Sequence, residues 1–583
     1  MGTNMSETMG ANIKANTKIN INNTKFYLRG CALYSVFYVL CLYHNPSGIT
    51  FPLFAAGNIV LFRLFAAKKN GLQFCNAVPR ECIFYEAAVV LLGVSTCITD
   101  CAAMIFLNKL AIFVLMNCYF LRAVYSTDSW SFAKHLCSVM RIIIGGLEYL
   151  PKPFHDVAEC HRASKAARSA NAAGNADGNS GSTAGGNIAS DNISGTNIAG
   201  DNIHRRRISL PPIAKSILMG ILIAFPLLCV VVWLLAGADA IFANIVSDIL
   251  DYLATLNFDI IDAINDIISD LYVILFMGFF AFMAAFCTWS FLNEGYMPSD
   301  NPDKAVHNPV TAITFTGILC FVYVLFCLVQ FAGLTGAAAL PSGYTYAEYA
   351  RSGFFQLLFV CIINIILVLA CLHYYRTSRV LKVVLTVICG CTYIMTFSSA
   401  MRMIMYIKAY NLTFLRISVL WALAAIAVIM TGIVVNIYRR SFNMFRYCIT
   451  AVTLIFVMFS FSRPDYVTAR YNYGAMQRRL ASEGYNCPDV RNDIIHLTRL
   501  SFDAAPIVMS SGFENMCRKA DSDSYYKSCI MEWGCQLDAT EIGINETAGN
   551  QAVRKNADRK RAVSLRTFNL SRYTALCRYK GLK

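Results

Sequence analysis

Five ionisable residues offer the most chemistry in this 583-residue chain: Asp239, Glu348, Arg351, Arg402 and Arg416. None lies beside all the others in sequence, yet each falls at the same end of an uncharged apolar run. Guanidinium groups grip phosphate and carboxylate oxygens through paired hydrogen bonds, so three arginines facing two carboxylates make a candidate anion site with one surplus positive charge. The competing reading is a charge-compensated clamp between helices, with lipid headgroups as the remaining counter-ion. Tyrosines accompany the cluster: Tyr344, Tyr346 and Tyr349 around Glu348, and Tyr406 between Arg402 and Arg416. An interfacial aromatic belt accounts equally for the first three. Thr345 and Glu348 have the spacing of a helix capping box, which leaves Arg351, one turn further on, without a capping role.

Glu86 and Lys109 are a second pair, set inside apolar stretches. Their depths in the bilayer differ by ~12 Å at 1.5 Å per residue, so direct contact needs a tilt or a bend. A water-filled crevice and a different span end are the alternatives. The segment His155-Asp156-Val157-Ala158-Glu159-Cys160-His161 holds possible metal ligands, with His155 and Glu159 one turn apart, but lacks a partner cluster and reads as a solvated polar segment with no metal. The chain contains no HExxH, Walker A loop, GxSxG or paired CxxC, so no catalytic residue and no cofactor is assigned, and the reading leans away from an enzyme.

The elements that must position these residues are membrane helices. The chain is 56% hydrophobic and 15% charged, with a mean hydropathy of +0.49, against roughly 25% charged residues in soluble domains. Its uncharged runs are long enough to cross a ~30 Å hydrocarbon core. Seven are clear in the second half: Ser216 to Ala238, Leu271 to Asn293, Asn308 to Phe331, Ser352 to Leu372, Val383 to Met401, Ile417 to Tyr438 and Tyr447 to Ser462. Four precede them as two hairpins, Gly30 to Tyr43 with Thr50 to Arg63, and Cys82 to Thr99 with Cys101 to Leu121; the first hairpin either spans or re-enters. The expectation is an all-α integral membrane protein with about eleven transmembrane helices in a 4 + 7 arrangement.

Five regions follow: a polar tail at 1–28, a membrane block at 29–125, a linker at 126–212, a second membrane block at 213–463 and a small extramembrane domain at 464–583. Pro153 to Pro211 loses apolar periodicity and carries a four-fold five-residue Asn-Ile repeat, read as disordered. Short loops rich in Lys and Arg, such as Arg376, Arg379 and Lys382, belong in the cytoplasm. The stretch from Asp239 to Asp270 has seven Asp and no Lys or Arg and belongs outside. Within it, Asp259, Asp262, Asp266 and Asp270 oppose Ile260, Ile264, Ile267 and Ile268, the pattern of an interfacial amphipathic helix. This places the protein in the plasma membrane, N-terminus inside and C-terminal domain outside.

Several segments resemble an uncharacterised bacterial family of polytopic membrane proteins, the domain of unknown function four-one-seven-three. They are Gly220 to Leu228 with Ala238 to Phe242, Tyr344 to Phe355, Tyr406 with Tyr410 to Arg416, and Phe568-Asn-Leu-Ser-Arg572. Asn411 departs from the resemblance, which implies Gly before Leu412-Thr413. The likeness implies a membrane fold and no activity. From the residues, the leading functional reading is a transporter or permease-like protein handling an anionic substrate or lipid at the outer leaflet. A non-catalytic sensor or assembly scaffold is the rival, with its C-terminal domain, including Asp503-Ala-Ala-Pro506, binding a partner; an intramembrane enzyme is third. The expected partners are the lipid bilayer and an anionic small molecule or lipid headgroup, with no nucleic acid.

Overall fold

The computed structural model describes residues 3–43, 45, 47–128, 130–162, 259–294, 308–334, 354–376, 378–439, 441–483, 488–520, 522–542 and 568–582. Their regular elements are helices. The membrane part holds α1 (Thr3–Leu42), α2 (Thr50–Asn70), α3 (Cys82–Ile98), α4 (Ala102–Val124), α5 (Phe132–Glu148), α6 (Asp259–Glu294), α7 (Pro309–Leu334), α8 (Phe354–Tyr374), α9 (Arg379–Tyr410), α10 (Phe414–Tyr438) and α11 (Met444–Phe461). The C-terminal part holds α12 (Pro464–Glu483), α13 (Pro488–Thr498), α14 (Ala505–Val508), α15 (Ser511–Lys519), α16 (Asp523–Ile542) and α17 (Leu570–Leu582).

Among the described residues, nine helices are long and apolar enough to cross a bilayer: Asn23–Leu42 of α1, then α2, α4, Leu271–Glu294 of α6, Pro309–Leu328 of α7, Leu357–Tyr374 of α8, α9, α10 and α11. Cys82–Ile98 is equally apolar in character but one turn shorter than most. This is the all-α polytopic membrane protein that the composition predicts. The run from Ser216 to Ala238 lies outside the described residues. Both arms of the first hairpin reach spanning length. Its turn is closed by Asn45, whose Oδ1 accepts from Gly48 N at 2.8 Å while Nδ2 donates to Thr50 Oγ1 at 2.5 Å.

The chain divides into two units, residues 1–162 with 277–583, and residues 163–276. Of the second unit, 259–276 are described, as the start of α6. The segment read as a separate interfacial helix, Asp259 to Asp270, instead continues into the span as one 36-residue helix. No Gly or Pro stands between them to break the hydrogen-bond ladder.

In the first unit the two membrane blocks share a core. Phe62, Leu92 and Tyr119 from the first block pack in one cluster with Trp289, Phe291, Phe456 and Phe459 from the second. A further cluster joins α7 to α10 around Leu385, Ile388, Ile426 and Met430. Residues 132–148, inside the stretch read as linker, form α5. Ser131 caps it by accepting from Lys134 N at 3.3 Å. Val139 and Ile142 point into the shared core, while Leu136, Met140, Ile144 and Leu147 are exposed along the other face. Gly145 lets α5 lie directly against α6, because a Cβ there would stand 2.2 Å from the Phe291 ring.

The helices α12 to α17 have a core of their own, built on Ile494, Phe502, Phe513, Trp533 and Leu576. This domain touches the hairpin turns at Ser47 and Thr99 and the α9–α10 turn at Leu412. All those turns therefore lie on one membrane face. The opposite face carries the ion pairs Arg63–Glu86, Arg122–Glu81 and Arg446–Glu81.

Candidate functional site

Along α9, Thr392, Thr396, Ser399 and Arg402 recur at helical spacing and all are buried. Four residues on one face over ten positions make a polar stripe about 15 Å long at 1.5 Å per residue. Each hydroxyl returns its proton to the carbonyl four residues back: Thr392 to Ile388, Thr396 to Thr392 and Ser399 to Met395, all at 2.8 Å. Their oxygen lone pairs remain as acceptors. Opposite them stands Asn364, the eleventh of the 21 residues of α8 and so close to its midpoint. Its Nδ2 donates to Thr392 Oγ1 at 2.9 Å, and its Oδ1 is buried with no hydrogen-bond partner among the described residues. An unmatched amide oxygen in hydrocarbon costs free energy unless a donor arrives.

The stripe runs toward the C-terminal domain and ends at Tyr406. The Arg416 guanidinium lies 4.3 Å from the Tyr406 ring centroid. Its Nη1 donates to the Tyr410 carbonyl at 2.5 Å and to the Asn411 carbonyl. Arg416 thus closes the end of α9, with its charge set against the carbonyl end of the helix. Asn411 has φ 65° and ψ 175°, a conformation that is nearly glycine's alone, which explains why the resemblance implies Gly there. Its side chain is held on both sides. Nδ2 donates to Asp493 Oδ1 at 2.6 Å, and Oδ1 accepts from Arg479 at 3.3 Å. His496 stands nearby; burial holds its pKa below the ordinary 6.5, with Asp493 working against that shift and Arg416 adding to it.

Of the residues expected to form the outer cluster, the structure describes Arg402, Arg416 and Tyr406, and sets all three at one end of α9 and α10. Asp239, Glu348, Arg351, Tyr344, Tyr346 and Tyr349 lie outside the described residues. Glu86 and Lys109 do not meet. Glu86 takes Arg63 as a bidentate partner at 2.7 and 2.8 Å, and Lys109 carries its ammonium 5.4 Å from the Phe51 ring centroid. His155, Asp156 and Glu159 bring their ligand atoms within 4.8 Å of one another, with His155 exposed.

Asp503, named in sequence only within a partner-binding motif, gathers its bonds from inside the chain itself. The Asp503 carboxylate is wholly buried. It accepts from Thr99 Oγ1 at 2.5 Å, from Asp100 N at 3.1 Å, from Arg463 at 3.3 Å and from Ser571 Oγ. Arg572 donates to Asp100 at 2.7 Å, and Asn569 Nδ2 donates to the Thr99 carbonyl at 2.9 Å. Burial pushes the Asp100 carboxyl above its usual range, and Arg572 pulls it back. Beneath this layer, Ser460 donates to Asn108 Oδ1 at 2.7 Å and lies 2.5 Å from Ser95 Oγ. Polar contacts therefore reach from the C-terminal domain into α3, α4 and α11. The two motifs singled out in sequence, Asp503-Ala-Ala-Pro506 and Phe568 to Arg572, meet here.

A family model described as a domain of unknown function, DUF4153, matches residues 87–510. The match takes in Glu86's neighbours on α3 and ends after Asp503, so it starts earlier and stops sooner than the motif resemblance. Its serial number differs from four-one-seven-three, and it too carries no activity. No curated protein and no solved structure matches the chain.

Proposed function

The chain belongs to the DUF4153 family, whose activity is not established, and from its own residues we propose a permease-like membrane protein that admits a phosphate- or carboxylate-bearing solute or lipid headgroup from the C-terminal-domain face. The observation that carries this reading is the stripe from Arg402 to Asn364. It gives the anionic group of a solute or headgroup a buried guanidinium at the entrance, while the acceptor oxygens from Ser399 to Asn364 suit the ligand's own donor groups, such as headgroup hydroxyls. Arg416 serves as the clamp that shapes the entrance, because its guanidinium is already engaged with helix-end carbonyls.

The test uses the full chain in vesicles of phosphatidylcholine with trace fluorescent phosphatidylglycerol, bleached from outside by dithionite. The expected result is loss of the inner-leaflet signal well above that of protein-free vesicles. Asn364→Leu and Arg402→Gln should each slow it about tenfold, equivalent to ~1.4 kcal/mol, at unchanged melting temperature. Wild-type vesicles indistinguishable from protein-free ones would remove the lipid-handling reading. A second reading, a sensor or scaffold, is favoured by the Asp503 cluster, which ties the C-terminal domain to the membrane helices through buried charge.

Orientation follows the positive-inside rule, with the C-terminal domain outside. Cys535 and Cys577 are exposed on that domain, Cys517 is buried there, and Cys75 is exposed on the opposite face. An impermeant maleimide applied to intact cells should label Cys535 and Cys577 and spare Cys75. Labelling of Cys75 alone would invert the assignment.

A further inference from the structure

On the face opposite the C-terminal domain, α3, α4, α5 and α11 enclose a cavity of about 200 Å³. Two arginines share one carboxylate oxygen in it. Glu81 Oε2 lies 2.5 Å from Arg122 Nη2 and 3.2 Å from Arg446 Nη1, so the two guanidiniums converge on a single acceptor position. Arg122 is further held by Asp128 at 2.9 Å and by Thr127 Oγ1 at 3.2 Å. His135 forms the wall, stacked on Phe445 at 4.3 Å with an interplanar angle of 13°. Its Nδ1 lies 2.9 Å from the Ser131 carbonyl.

The acceptor position is held loosely from one side. Arg122 is 14% exposed, whereas Glu81 is 39% and Arg446 56% exposed. A Glu81 carboxylate that turned to the water on its exposed side would leave an oxygen-binding position between two guanidiniums. That geometry suits phosphate, which offers several oxygens to two donor forks at once.

The surroundings specify where the phosphate comes from. Phe84 and Leu121, which line the cavity, belong to membrane helices. α5 exposes Leu136, Met140, Ile144 and Leu147 in one row beside it, the row an amphipathic helix turns toward lipid. Lys134 lies 4.4 Å from the Trp130 ring centroid, a pairing of residue types common where headgroups meet hydrocarbon. We propose that this cavity binds the phosphodiester of an anionic phospholipid headgroup, with Glu81 occupying the phosphate position when lipid is absent and the acyl chains lying along the exposed row of α5. This site lies on the other membrane face from the α9 stripe and does not depend on it.

Two variants with opposite expected signs test the proposal on the full chain purified in detergent. Native mass spectrometry would count retained phosphatidylglycerol against phosphatidylcholine after exposure to vesicles containing both in equal amounts. Wild type should favour phosphatidylglycerol. Glu81→Gln, which weakens the internal competitor, should raise its retention several-fold, and Arg446→Gln should lower it to the phosphatidylcholine level. Millimolar inorganic phosphate should not displace the lipid. Equal retention of both lipids by wild type, a fall rather than a rise in Glu81→Gln, or no change in either variant would overturn the proposal. Displacement by inorganic phosphate would overturn the lipid assignment in favour of a free anion. Arg446 is exposed enough for its variant to fold, and an unchanged melting temperature would verify that.

Discussion

Replacing Asp503 by Ala should destabilise the protein by about 3–5 kcal/mol, the usual consequence of removing one partner from a buried charge pair. The carboxylate is completely buried and accepts from Thr99, Asp100 N, Arg463 and Ser571. Removing it leaves the Arg463 guanidinium, 23% exposed, without its counter-ion and three further donors without an acceptor. Asp503→Asn keeps one acceptor oxygen and loses the charge, and should cost about half as much. Asp465 provides the comparison. It is also buried but serves mainly Ser501, whose N and Oγ lie 3.3 and 2.6 Å away, so Asp465→Ala should cost only about 1–2 kcal/mol. Thermal unfolding and protease sensitivity of the C-terminal domain read both effects. Equal losses in the two alanine variants would show that Asp503 is not the hub of the junction.

Gly145→Val should cost at least about 1–3 kcal/mol, the range for overpacking a filled core. The added Cβ would stand 2.2 and 2.5 Å from two carbons of the Phe291 ring, and Phe291, being wholly buried, has no space to yield. Helix α5 must then lift from α6. Gly317, in the interior of α7, has nothing within 4 Å of its would-be Cβ, so Gly317→Val should be neutral or slightly stabilising through helix propensity. Melting temperatures in lipid discs separate the two; a Gly145→Val variant as stable as the Gly317 one would mean that α5 does not pack as described.

Transmembrane helices were legible because a span is a local property. Twenty apolar residues declare themselves whatever they pack against. Helix α5 was also visible in principle: Leu136, Val139, Met140, Ile142, Ile144 and Leu147 behind the N-cap Ser131 have helical periodicity, but the polar stretch that follows drew the whole segment into the linker. The polar stripe is half legible, since Arg402 stands out at the end of an apolar run while Thr392, Thr396 and Ser399 are unremarkable in any one sequence. Asp503-Ala-Ala-Pro506 and Phe568 to Arg572 stand out as separate motifs, but nothing in the sequence says that they meet. The partners of Asp503 lie 404, 40 and 68 residues away at Thr99, Arg463 and Ser571, and no spacing rule connects them. Glu86 and Lys109 are legible only as two charges at unequal depths; the partner that Glu86 takes, Arg63 on the neighbouring arm, is 23 residues away and no spacing rule joins them. Asn411 was flagged through resemblance, and its positive φ supplies the physical cause.

The hydrogen bond from Asn569 to the Ser47 carbonyl joins residues 522 positions apart, and this sets an order of assembly during synthesis. At bacterial or eukaryotic elongation rates the ribosome needs roughly 25–100 s to make the intervening chain. Throughout that interval the first two hairpins sit in the membrane with the Thr99 and Asp100 turn open to water and its later partners not yet made. Residues 568–572 are the last pieces of the junction to emerge, so only a chain translated that far can satisfy the Thr99 carbonyl and the Asp100 carboxylate from within.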